Sequence, residues 1–361
     1  MLFSTGRDGS VIEHPYIRVT IDAGRKGISV HPAMGEESGT RHIPPPSPTD
    51  DVRPSSLFVN GQFPRRRGLI IFLAALFGFA LTVVWSHEFV DQTIGANAAG
   101  ALLGQDAATV SLTGSLIGIV FALATGVAGT FTACNVAVFS AMAPLAGQSR
   151  SRRGRLVQLL KPLGHLAVGS VAVSALYGVV VALVGTRMPQ FQLGSSLKSD
   201  GISPVLIQSM VTYGIIGVVM IWLGLASLGM LSDPLARVSA RFPNAPLVLM
   251  GALIGAFLIG RPYPLFRRLF HDAAESGNPL YGAAAFSLQA LGNLVVVGVL
   301  FVLITLLVGE RVHRWMSARP SRASAIVAAA FIGAGAFMIL YWDVRMLALH
   351  DFIWFPLAPW V

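Results

Sequence analysis

Few residues along this chain are able to do chemistry, and most of them stand in otherwise apolar sequence. Cys134 is the sole thiol among 361 residues. Thr130 and Thr132 precede it and Asn135 succeeds it, so hydroxyls, a thiol and a carboxamide share a short stretch of apolar chain. Such a patch offers a thiol for exchange with a partner protein, or a soft ligand for Cu(I). The plainer alternative is a small packing cysteine with Thr130, Thr132 and Asn135 bonding between helices. One thiol excludes an intrachain disulfide and a multi-cysteine zinc site. A second group is Arg261-Pro262-Tyr263-Pro264. Arg261 either holds a fixed positive charge for an anionic substrate or snorkels to the outer interface.

Three histidines stand beside acids: His87 with Glu88, His271 with Asp272, and His350 with Asp351. Imidazole plus carboxylate is a ligand set for Zn or Cu(II). No histidine pair at helical spacing supports it, and span ends are polar in any case. His165 near the start of an apolar run is a proton-relay residue or a hydrogen-bonded packing histidine. The chain contains no G-x-S-x-G, Walker, G-x-G-x-x-G or H-E-x-x-H motif, so neither an enzymatic reaction nor a cofactor is assigned.

The elements that must hold these residues are apolar. Hydrophobic residues make up 54% of the chain and charged residues only 12%, about half the usual charged share of a soluble domain. That balance excludes an ordinary soluble enzyme and a disordered chain. The apolar residues gather in runs: Gly68–Trp85, Ala107–Ser149, Pro162–Thr186, Gly201–Ser232, Phe242–Gly260, Ser276–Gly309 and Ala323–Trp342. They do not alternate as barrel strands do, so the expected fold is an all-α polytopic membrane protein with seven transmembrane helices. Before them, residues 1–67 are rich in charge, Pro and Gly and are predicted to be a mostly disordered cytoplasmic tail. A small hairpin is expected between Ser10 and Val30, where Tyr16 to Ile21 alternates.

Basic residues set the orientation. Arg65 to Arg67, the Arg150–Lys161 cluster, Arg237 with Arg241, and Arg311 to Arg322 fall on one side if there are seven spans. The count is 14 Lys/Arg on that side against six on the other, tail excluded. This predicts a cytoplasmic N-terminus, an outside C-terminus and a plasma (bacterial inner) membrane location. The formal charge of +9 is then a topology signal and not a sign of nucleic acid. Trp342, Trp354 and Trp360 belong to the aromatic C-terminal end, whose segment 343–361 is expected at the outer interface.

Two runs do not fit a straight helix. Ala107–Ser149 is too long for one crossing and holds Gly126 and Gly129 just before the polar patch. Leu247 to Gly260 is too short, and Pro262 and Pro264 break the chain beyond it. Each interrupted helix precedes two plainer spans. Spans two to four and five to seven are therefore expected to form an inverted 3+3 repeat, with both breaks at a midplane site.

The stretch Gly126-Val127-Ala128-Gly129-Thr130-Phe131-Thr132-Ala133-Cys134-Asn135 through Pro144 and Gly147 resembles the first helix of the CcdA/DsbD transmembrane family. That family carries thiol-disulfide electrons in cytochrome c biogenesis and periplasmic reduction. Gly251 through Pro264 resembles its fourth helix, and Asn278 through Asn293 its fifth. The resemblance covers roughly Leu112 to Trp342. It implies a six-helix membrane domain, 107–342, with the helix at 68–86 as an addition. The family relays electrons through one cysteine in each half; here Arg261-Pro262-Tyr263-Pro264 occupies the second position, so the intrachain relay is absent. The expected function is a protein of this type lacking the cysteine pair. The alternatives are a secondary transporter of a small anion or metal ion, or a structural subunit of a larger membrane complex. Expected partners are the lipid bilayer and either a periplasmic or extracellular redox partner or other membrane subunits, with no nucleic acid.

Reporter fusions test the orientation. Fusions after Arg155 and Arg322 are expected to report cytoplasm, and fusions after Asp91 or at Val361 the outside. Both termini on one side would refute the seven-span count.

Overall fold

A computed structural model describes residues 3–6, 9–14, 17–22, 27–32, 56–59, 61, 63–86, 97, 100–101, 115–128, 152–191, 203–260, 264–319 and 321–358. The chain divides into two compact units, Met1–Val52 and Arg53–Val361.

In the first unit, β1 (Phe3–Gly6), β2 (Gly9–His14), β3 (Ile17–Asp22) and β4 (Gly27–Pro32) form an antiparallel meander in chain order. Val19 stands between Ile12 and Val30 in register, and Ile21 opposite Ile28. The sheet is larger than the small hairpin expected between Ser10 and Val30. A lone two-stranded hairpin is marginal in water, and flanking strands satisfy the backbone groups it leaves open.

Helix is the sole regular structure among the described residues of the second unit. Its helices are α1 (Arg67–Val84), α2 (Ser115–Ala128), α3 (Arg152–Val184), α4 (Pro204–Ser227), α5 (Ala236–Arg241), α6 (Ala245–Ala256), α7 (Pro264–Ser276), α8 (Pro279–Ser317), α9 (Ser321–Ile339) and α10 (Arg345–Leu349). Five stretches are long and apolar enough to cross a membrane: Arg67–Val84, Leu160–Arg187, Pro204–Ser227, Pro279–Leu303 and Ser321–Leu349. Shorter apolar helices run over Gly118–Val127 and Ala245–Ala256. Every apolar run of the sequence thus carries a helix, but the two runs that did not fit a straight helix yield the two short ones.

Local chemistry fixes several boundaries. Asn278 opens α8 by accepting from the Leu280 and Tyr281 amides, with Pro279 in the first turn. Ser203 does the same for α4, ahead of Pro204. Gly229 ends α4 in the left-handed region (φ 69), where a side chain is strained. At its far end α9 widens through a π-type turn, Leu340–Val344, and continues into α10. The helix therefore passes Trp342, where the apolar run stops. The buried Arg345 guanidinium then reaches the end of α1, donating to Trp85 O at 2.9 Å and Thr82 O at 3.3 Å. A cation there complements the helix C-terminus.

The helices pack as close pairs: α3 with α8, α2 with α8, α3 with α6, α4 with α9, and α1 with α9. Glycines sit at the contacts. Gly178 and Gly282 meet backbone to backbone, and Gly298 lies near Leu163, so α3 and α8 are antiparallel. Gly217 and Gly335 meet likewise, with Gly224 near Ala328, making α4 and α9 antiparallel. Gly118 lies against Tyr281 and Gly126 against Gln289, so α2 and α8 are parallel. Gly251 lies against Leu166 and Gly255 against Ser170 and Ser174, so α3 and α6 are parallel. Small residues are what membrane helices use to approach this closely. The outward stripes are apolar: Phe72, Leu73, Leu76 and Phe77 on α1, and Ile207, Val211, Ile215 and Val218 on α4. Exposed apolar stripes of this kind suit lipid and not water.

A Cβ at Gly178 or Gly282 would collide with the opposing backbone, which cannot move aside. Gly178→Val or Gly282→Val is expected to cost about 1–3 kcal/mol in thermal unfolding in detergent. Gly164→Ala, with nothing within 4 Å of the new carbon, is expected to leave the midpoint unchanged or raise it slightly.

Candidate functional site

A helix that stops inside a membrane protein leaves carbonyls without amide partners, and no water is at hand to take them. α6 stops at Ala256 and the chain turns through Phe257–Gly260. Side chains from three other places supply the missing donors. Gln190 Nε2 donates to the Ile259 carbonyl at 2.6 Å, and Gln208 Nε2 donates to the same oxygen at 2.7 Å. Gln208 Nε2 also lies 3.2 Å from the Tyr177 hydroxyl, which donates to Gln190 Oε1 at 3.3 Å. Ser209 Oγ donates to the Gly260 carbonyl at 2.6 Å, and the Tyr213 hydroxyl to the Phe257 carbonyl at 3.2 Å.

The donors converge because of where their elements end. Tyr177 is two turns from the end of α3, and Gln208, Ser209 and Tyr213 lie in the first three turns of α4. Gln190 lies on a short 3-10 turn, Pro189–Phe191, between them, and is buried. Aromatic packing holds the donors' rings. Tyr213 stacks on Trp342 with centroids 4.4 Å apart, and Tyr177 meets Phe286 edge-on at 5.6 Å. Phe286 in turn packs with Phe266 and Phe270 of α7, next to the broken end.

A second set of polar side chains lies on α3 and α8, which pack against each other. The Ser170 and Ser174 hydroxyls and both polar atoms of the Gln289 carboxamide are buried without a hydrogen-bond partner among the described residues. Asp343, in the widened turn of α9, lies against Gly214 of α4, its Oδ2 buried and unpaired among the described residues.

The residues singled out in the sequence fall in two groups. Thr130, Thr132, Cys134, Asn135, Gly129, Arg261, Pro262, Tyr263 and His87 lie outside the described residues. Gly126 packs on α8 between Gln289 and Asn293, and Pro264 opens α7. On α7, Asp272 accepts a short hydrogen bond from the Tyr281 hydroxyl. Burial, with Arg267 nearby, lowers the His271 pKa below the usual histidine value. His350 Nδ1 lies 2.9 Å from its own helix's Met346 carbonyl, and Asp351 comes next at φ 62. Among the described residues no three His, Cys, Asp or Glu side chains lie close enough to hold a metal ion.

The converging residues were missed in the sequence: Tyr177, Gln190, Gln208, Ser209, Tyr213, and the unpaired Ser170, Ser174 and Gln289. A signal for two of them was present. Gln208 and Gln289 are the sole glutamines of their apolar runs, and a carboxamide in lipid demands a partner.

Helices of this length, with apolar stripes facing outward, make the chain compatible with an integral, multi-pass membrane protein. Comparison with protein-family models, curated proteins and solved structures gives no match.

The Ile259 carbonyl accepts from two amides, so either one covers the loss of the other. Gln190→Leu and Gln208→Leu are each expected to lower stability by about 1 kcal/mol. The double variant is expected to lose more than the sum, because the carbonyl is then nearly orphaned. Thermal unfolding of the four proteins in detergent measures the coupling.

Proposed function

We propose that this protein is a plasma-membrane carrier of CcdA/DsbD-like architecture that moves a small solute or ion by alternating access. In this reading the chain crosses seven times, from a cytoplasmic N-terminus to an outside C-terminus. α2 and α6 begin two of the crossings. Spans two to seven form two inverted halves, α2–α3–α4 and α6–α8–α9, with α1 added against α9.

The observation that carries the proposal is a symmetry in the packing. If α2 is exchanged with α6, α3 with α8 and α4 with α9, the pair α2–α8 becomes α6–α3. Both of these pairs are parallel. The pairs α3–α8 and α4–α9 each map onto themselves, and both are antiparallel, as a two-fold axis in the membrane plane requires. The exchange also relates the glycine contacts. Gly126 on the Gln289 backbone corresponds to Gly255 on the Ser170 backbone, so each short helix packs at a residue of the other half whose buried side chain has no partner among the described residues. Buried polar groups at the repeat interface, beside an interrupted helix, are where such carriers bind their cargo. With a single thiol the chain supports no intrachain electron relay, so the cargo is a solute or ion and Cys134 is dispensable for movement.

Ser174→Cys in a Cys134→Ser background tests this. In oriented proteoliposomes, a membrane-impermeant thiol reagent is expected to label position 174 from either side, slowly and with protection when the protein is held in one state. Labelling from neither side would replace the carrier by a structural subunit. A mixed disulfide trapped at Cys134 of the native protein would restore the thiol-redox alternative.

A further inference from the structure

We propose that Ser170, Ser174 and Gln289 hold a desolvated monovalent cation of the alkali-metal class, and that this ion couples to the carrier described above; the proposal rests on that reading. Buried hydroxyls in membrane helices ordinarily bond back to their own helix. Thr82 does so to Gly78 O at 2.9 Å, Thr125 to Ala122 O at 2.9 Å, and Ser227 to Gly224 O at 2.7 Å. Ser170 and Ser174 are wholly buried and do not. Gln289 is equally buried, with neither amide nor carbonyl engaged among the described residues. An unpaired carboxamide or hydroxyl in an apolar interior is costly, so three side chains left open at one depth need a common partner.

The helix register brings them to one depth. Gly178 meets Gly282 where α3 and α8 cross antiparallel. From that point Ser174 lies about 6 Å and Ser170 about 12 Å along α3, at 1.5 Å per residue. Gln289 lies about 10 Å along α8 in the same direction, two turns down the face that carries Gly282. It falls between the two serines. Counted from Pro279, Gln289 is about 15 Å in, the middle of a hydrocarbon core roughly 30 Å thick.

The chemistry of the place favours a small cation. Gly255, in the last turn of α6, lies against Ser170 and Ser174, with the Ser174 Oγ 3.2 Å from where a Cβ would stand. The C-terminal end of a helix carries partial negative charge, which repels an anion and attracts a cation. The side-chain oxygens are hard ligands, two hydroxyls and an amide carbonyl. No carboxylate belongs to the set, and uncharged ligands favour a single positive charge over two. Half-helix C-termini at the midplane of carriers with broken helices are suited to holding sodium or a proton.

The test uses the full-length protein in lipid nanodiscs, with sodium chloride set against potassium chloride and choline chloride at equal ionic strength. Sodium or potassium is expected to raise the unfolding temperature saturably by a few degrees over choline. Ser174→Ala and Gln289→Leu are expected to abolish that difference, and Ser227→Ala, whose hydroxyl is bonded within α4, to keep it. If Gln289→Leu does not fold, Ser170→Ala takes its place. A temperature that is the same in all three salts, as buried water alone would give, overturns the proposal, as does a full response in the Ser174 variant. Labelling of the Ser174→Cys variant is read separately, so the carrier can survive while its ion does not.

Discussion

The contact that governs this helical unit is between two backbones, where Gly178 of α3 and Gly282 of α8 meet without side chains between them. In lipid, helices gain nothing from hiding apolar surface from each other, because the surrounding chains are as apolar as leucine. What holds them is contact area between well-fitted surfaces, and absence of a side chain is what permits that area. The other glycine contacts repeat the solution on every major helix pair. They also fix register, since a glycine slot accepts its partner at one height only. The depth of Gln289, Ser170 and Ser174 is set by this crossing.

Tight packing of apolar helices limits where polar backbone can be left open. The unwound end of α6 is tolerated because two glutamines, a serine and two tyrosines deliver donors to it. That arrangement fixes the position of the chain entering the residues after Gly260. It also ties α3, α4, α6 and the turn carrying Gln190 into one polar assembly. The buried aromatic residues Phe121, Phe266, Phe270 and Phe286 pack in one cluster with Tyr177 of that assembly. The contrast with Ser170 is one of satisfaction: one polar cluster is closed among protein groups, while the other has no partner among the described residues.

Arg345 shows the same principle at the end of α1. Its charge is buried, yet it meets the end of α1 and the face of Tyr341, with the guanidinium 4.7 Å from the ring centre. The widened turn just before it supplies the extra residue that aims Asp343 at α4 and Arg345 at α1. A regular helix would have rotated one of the two away.

Much of the architecture was legible from composition alone. Long uncharged runs demand helix in lipid, because only helices satisfy their own backbone there, so every apolar run carries one. The run ending at Gly260 is short, and the helix it carries, α6, is short as well. Gly126, read in the sequence as part of a helix break, lies inside α2, where its small size serves a close approach to α8. The alternation at Ile17, Val19 and Ile21 marked a strand, though not the two outer strands paired around it. What only the tertiary structure decided is which polar groups meet. Hydrogen bonds between Gln190, Gln208, Tyr177 and Ile259 join residues that are between 13 and 82 positions apart. No local pattern encodes them. Their partners are chosen by the register of glycine contacts, and register is a property of two surfaces together. That Ser170, Ser174 and Gln289 find no partner among the described residues is hidden from the sequence for that reason too: a serine in a helix reads the same whether its hydroxyl turns back to its own backbone or faces a neighbouring helix.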